Sequence, residues 1–189
     1  MTRTVNRLGY IFQFPTSEGR HGYCQWLPHD VRFFLISTGE SLGLETILRL
    51  PVAFRIVVFK DTPSRYGWAK IGAAPVPPEY GQPQAYAKQD VITKKITIYR
   101  GEGASRDERP ASYDEVRHLE TCAVWAHPHI VERLLAGISG VPSKFLESLR
   151  VKPPVQGAEP DGAVNGRPPV LSETNRTSSV AGSVADPAR

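Results

Sequence analysis

All 17 aromatic side chains (three Trp, seven Tyr, seven Phe) lie at or before Phe145. The stretch from Val151 to Arg189 has none, holds six of the 17 prolines, and beyond scattered valines offers Leu171 as its only large apolar residue. A segment of that composition cannot bury enough apolar surface to offset the entropy of ordering its backbone. The core is therefore confined to residues 1–150, and the reading for 151–189 is a disordered tail. One domain also suits a chain of 189 residues, since domains typically run to ~100–200.

The tail is electrically balanced: Lys152, Arg167, Arg176 and Arg189 offset Glu159, Asp161, Glu173 and Asp186. The net charge of +4 thus belongs to residues 1–150, where both signs are mixed. No basic stripe is present, so nucleic acid is not an expected partner. No apolar run approaches the ~18–20 residues that span a bilayer, and the N-terminus MTRTVNRLGY lacks the ~7–15 residue apolar region of a signal peptide. Cys24 and Cys122 have no zinc-ligand spacing and both sit in apolar stretches, where a free thiol packs as a small hydrophobe. A reduced cytoplasmic protein is the expectation; a Cys24–Cys122 disulfide is the alternative.

Strand patterns fill the first half. Tyr10–Phe14, His21–Leu27 and Val31–Ser37 are rich in aromatic and β-branched residues and separated by turn residues, as in an antiparallel meander. Val52–Lys60 is nearly continuous in apolar residues, which predicts a central strand buried on both faces. Tyr66–Ile71 and Ile96–Arg100 are further strands, and Gly72–Pro83, with four prolines, is a loop. Leu42–Leu50 is ambiguous: Leu44, Ile47 and Leu48 share a helical face, but Pro51 ends any helix.

Helix signals come late. Ser112 and Glu115 have capping-box spacing, and Thr121–Trp125 reads as a strand. Pro128 suits a first helical turn, Ile130, Val131, Leu134, Leu135 and Ile138 form one face, and Gly140 is a stop. Ser143–Leu149 is a last turn or two that docks Phe145 and Leu149 on the sheet. The fold class is α+β: a mostly antiparallel sheet, meander or partly open barrel, then two or three short helices, then the tail.

Catalytic signatures are weak. His127-Pro128-His129 with His118 nearby has the residue type of a metal site, but metal sites need three or four ligands and a supporting shell, so capping and surface roles are expected instead. Gly101-Glu102-Gly103 lacks the third glycine of a dinucleotide fingerprint. Asp114, Glu115 and Glu120 are close in sequence, yet the first two favour a helix N-terminus. Cys24 has His21 in reach but no third group to orient a base. Asn175-Arg176-Thr177 has the form of a glycosylation sequon without meaning in a cytoplasmic chain. No catalytic residue, metal or cofactor is assigned.

The order of motifs from about Asn6 to Gly140 is informative: LGYIFQFP, VAFRIVVF, then Trp68, Ile71 and Gly72 in W-x-x-I-G, then a proline-rich loop, Leu119-Glu120, Ala123-Val124-Trp125 and Val131-Glu132-Arg133-Leu134. This succession resembles the immunity protein 26 family of bacterial polymorphic toxin systems; the tail lies outside that pattern. The resemblance implies a non-catalytic protein that binds a cognate protein toxin stoichiometrically and neutralises it. Trp68, Gly72, Glu120 and Trp125 match the family motif and look structural. Arg65, Tyr66, Tyr80 and Tyr86, on loops or loop edges, are the expected partner-binding anchors, since loop aromatics and arginines are favoured at interfaces. A small enzyme (hydrolase or metal-dependent) and a nucleic-acid-binding module are the alternatives. The first would need His118, His127 and His129 in one pocket.

Overall fold

The structure, a computed structural model, describes residues 7–101 and 106–153. The tail expected from 151 onward lies outside them except for its first three residues, as do Glu102, Gly103 and the Asn175 sequon. The fold class is α+β with open sheets. β1 (Tyr10–Ser17), β2 (Arg20–Trp26), β3 (Val31–Phe34) and β4 (Val52–Val58) form the expected antiparallel meander. β5 (Ala69–Ala73) pairs antiparallel with β1. A second sheet holds β6 (Ala85–Gln89), β7 (Ile96–Arg100) and β8 (Asp107–Pro110). β6 and β8 carry no sequence signal, being short and mixed in polarity.

Thr121–Trp125 is expected to be one strand, but the chain there splits between the two sheets. β9 (Glu120–Thr121) runs parallel to β6, and β10 (Val124–Trp125) runs parallel to β4. The final orders are β10-β4-β3-β2-β1-β5 and β8-β7-β6-β9, neither closed into a barrel. β4 is consequently one strand in from an edge rather than central. Ile56 and Val58 are buried, but Phe54 and Val57 are half-covered and Val52 is exposed.

Strand alternation gives the large sheet two apolar faces. On one, Phe12, Phe14, Cys24, Val31, Phe33, Ile56 and Val58 meet Ile130 and Leu134 of α4 (His127–Ile138). On the other, Ile11, Tyr23 and Phe34 meet Ile47 of α1 (Leu44–Arg49), which resolves the ambiguous segment as a helix. Gly22 admits α4: a Cβ there would lie 3.0 Å from Leu134 Cδ2 and 2.8 Å from Phe14 Cζ. Burying a Phe, Leu or Ile side chain stabilises by about 1.5–3 kcal/mol, so the α4 face outweighs any single polar contact.

α2 (Thr62–Arg65) is a single turn between β4 and β5. α3 (Tyr113–Val116) carries the capping box in full: Ser112 Oγ accepts from Glu115 N at 3.3 Å while Glu115 Oε2 accepts from Ser112 N at 2.8 Å. α5 (Lys144–Leu149) is capped by Ser143, and Phe145 packs edge-on against Trp125 at 5.0 Å. Both cysteines are free; Cys24 is buried as expected, but Cys122 is exposed because it lies in the short crossing between the two sheets. Among the described residues no helix is long and apolar enough to cross a membrane.

Candidate functional site

Two of the residues that carry the resemblance, Glu120 and Trp125, meet at one arginine. Arg133, on the second turn of α4, donates to both oxygens of Glu120, Nη1 at 3.0 Å and Nη2 at 2.6 Å, with both side chains nearly covered. Its guanidinium lies 4.3 Å from the Phe54 ring centre and 4.9 Å from that of Trp125. One side chain thereby joins β9, β10, β4 and α4. The neighbouring Glu132 accepts from Ser143 Oγ at 2.6 Å and Lys144 N at 2.8 Å, which anchors the start of α5. Gly72 is held at the opposite face, where a Cβ would lie 2.7 Å from Leu44 Cδ1.

Trp68 is buried in the α4 face and donates its indole N–H to His127 Nδ1 at 3.1 Å. Nδ1 must accept, so the imidazole proton belongs on Nε2. Tyr66 stacks on the same imidazole at 4.7 Å. Burial pulls the His127 pKa below the ordinary imidazole value. His129 lies flat against Phe145 at 3.5 Å, and His118 is exposed. The three histidines therefore occupy different surroundings, and among the described residues no group of three or more His, Cys, Asp or Glu could hold a metal ion.

A charged cluster sits on the other face of the sheet. Arg55 on β4 grips Asp30 through Nε–Oδ1 at 3.2 Å and Nη2–Oδ2 at 2.8 Å, with the Asp30 carboxylate fully covered. Arg32, directly across from Arg55 in the ladder, is 5 % exposed, and its Nε has no hydrogen-bond partner. Its guanidinium lies 4.9 Å from the Tyr80 ring centre and 5.2 Å from that of Phe34; Arg55 is also 4.9 Å from Tyr80. Cation–π contact offsets only part of the cost of burying Arg32, about 0.5–2 kcal/mol per ring. Neither arginine was marked by sequence reading, although each is the lone charge inside an apolar strand (VRFF and VAFRIVV), which is the signal that could have found them.

The expected anchors thus fall in two places, Arg65 and Tyr66 beside His127, and Tyr80 and Tyr86 beside the Asp30–Arg55 pair. Arg65 is exposed; Tyr66 and Tyr80 are half-buried. Tyr86 is a correction. It lies on β6 rather than in a loop and is 6 % exposed, because β7 and β9 flank its strand. Burial first, and then the Asp30 charge, push its phenol far above the ordinary range, so it stays protonated. Tyr86 is withdrawn as a partner anchor.

Tyr86 also lines a cleft of about 330 Å³ with His29, Val57, Tyr99, Cys122 and Val124. That volume is at the small end for ligand pockets, about 300–1,000 Å³. Burial raises the Cys24 thiol pKa well above its ordinary value, and partial desolvation raises that of Cys122.

A scan against protein-family models, a search of curated proteins and a search of solved structures each return no match.

Two outcomes follow from these clusters. Arg55→Met strands the Asp30 carboxylate and should cost about 3–5 kcal/mol in urea unfolding at neutral pH, whereas Arg32→Met removes an unpaired cation and should be neutral or stabilising. His127 binds its proton more weakly folded than unfolded. Stability should therefore be full above the unfolded value of about 6.5 and fall as pH drops through it toward the folded value. Melting curves between about pH 7 and pH 5 should show that loss, and His127→Asn, which keeps an acceptor for Trp68 but cannot titrate, should flatten it.

Proposed function

We propose that this chain is an immunity protein that binds a cognate polymorphic toxin in the cytoplasm of the producing bacterium and neutralises it by stoichiometric association, without catalysis, metal or cofactor. The observation that carries the reading is the use made of the motif residues. Glu120, Trp125 and Arg133 interlock in one packed unit with Phe54, and Trp68 is tied to His127. The residues behind the resemblance are thus occupied in building a rigid scaffold, which leaves recognition to the exposed surface.

A scaffold of this kind suits inhibition. Stable complexes bury about 1,200–2,000 Å² in total, and a surface already fixed in shape loses little conformational entropy on docking. The exposed Arg65 and the half-buried Tyr66 and Tyr80 remain candidates at the rim of such an interface.

Co-expression tests this directly. The toxin domain encoded nearest this gene would be induced in a sensitive bacterial host with and without the full-length chain, followed by affinity capture. Rescue of growth together with a complex of about one chain per toxin supports the reading. Loss of growth in both cultures, with no complex recovered, contradicts it.

A further inference from the structure

The hairpin between β6 and β7 ends in an unusual tip. Val91 and Ile92 are 79 % and 85 % exposed, well beyond the next most exposed large apolar residue among those described, Val141 at 55 %. Scattered apolar residues on a surface are ordinary; two adjacent β-branched ones at the crest of a projecting turn are not, because the crest gives them no neighbour to cover.

The turn is also locked. Asp90 Oδ1 accepts from Ile92 N at 3.0 Å, Thr93 N at 2.6 Å and Thr93 Oγ1 at 2.9 Å. Asp90 O accepts from Lys94 N at 3.0 Å, and Lys94 Nζ donates to Val91 O at 2.6 Å. Lys94 takes φ 58°, a left-handed position that a lysine adopts at some cost and that these bonds hold in place. Those same bonds to Asp90 lower its pKa, so its carboxylate is held ionised inside the turn. Gln89, at the base, exchanges two hydrogen bonds with the Lys152 backbone, at 3.0 and 3.1 Å, which brings a further lysine alongside.

Apart from the ionised Asp90 carboxylate, the exposed charge around the tip is basic. Lys94, Lys95 and Lys152 are exposed, Asp90 is engaged in the turn, and the nearby Glu108 is bridged to Lys88 and Arg106. A convex, rigid, apolar point with a basic surround complements a concave apolar cleft with an acidic rim, and its fixed shape spares the ordering cost that weakens a flexible loop.

We propose that Val91 and Ile92 are the wedge by which this protein docks into an apolar, acidic-rimmed cleft of its toxin. The inference rests on the immunity reading above. It places the principal contact at the hairpin tip rather than at Arg65, Tyr66 or Tyr80.

The test uses the full chain carrying Val91→Ser with Ile92→Ser, a second chain carrying Lys95→Glu, and the toxin domain encoded nearest the gene, inactivated for the binding measurements and active for growth rescue. With both serines the melting temperature should stay at the wild-type value, while the Kd should weaken about 100-fold and growth rescue should be lost. Lys95→Glu should slow association several-fold at low salt and leave dissociation nearly unchanged. If the wild type binds and rescues but the double variant does so within about threefold, the tip is not the docking point and the immunity reading stands. If the wild type itself neither binds nor rescues, the immunity reading fails and this inference with it. Cosedimentation of the wild type with phosphatidylglycerol vesicles, abolished by the two serines, would reassign the tip to a membrane surface and overturn the proposal.

Discussion

The contact on which the rest of this fold leans is the grip of Arg133 on Glu120 across the faces of Phe54 and Trp125. β9 and β10 are two residues each, too short to hold position by ladder hydrogen bonds alone. Yet they carry the chain from the edge of one sheet to the edge of the other. The guanidinium secures both, since its fork matches the carboxylate on one side and its plane lies against two rings on the other. Loss of that contact would leave an orphaned, nearly covered carboxylate and free the crossing that positions α4.

A sheet packed on both faces sets what the surface can do. The α4 face is apolar and aromatic, and its one tuned polar pair, Trp68 with His127, is satisfied. The opposite face mixes an apolar patch under α1 with buried charge, where Asp30 and Arg55 neutralise each other and Arg32 lies against the Phe34 and Tyr80 rings. Buried polar groups of this kind raise specificity of packing at the expense of stability. Among the described residues the most exposed large apolar side chains, Val91 and Ile92, stand at the β6–β7 tip.

Much of the first sheet was legible because its strands follow period-two patterning with clear turn residues, and the cap of α3 could be read from Ser112 and Glu115 alone. Three features were not. β6 and β8 have no patterning of their own and exist by pairing with β7, which is information carried by the fold. Val52–Lys60 looked buried on both sides, but the short β10 beside β4 covers only its far end. Tyr86 looked like a loop aromatic for the same reason that β6 was missed. The motif residues were legible as structural, yet their meeting point was not, since Glu120 and Arg133 are brought together only once α4 crosses the sheet.

A double-mutant cycle on Glu120→Gln and Arg133→Met, followed by urea unfolding, is the most direct test of this central grip. The expected coupling is about 1–3 kcal/mol, with either single change costing nearly as much as both together. A coupling near zero, with the two costs simply adding, would mean that the crossing between the sheets is held by something other than this pair.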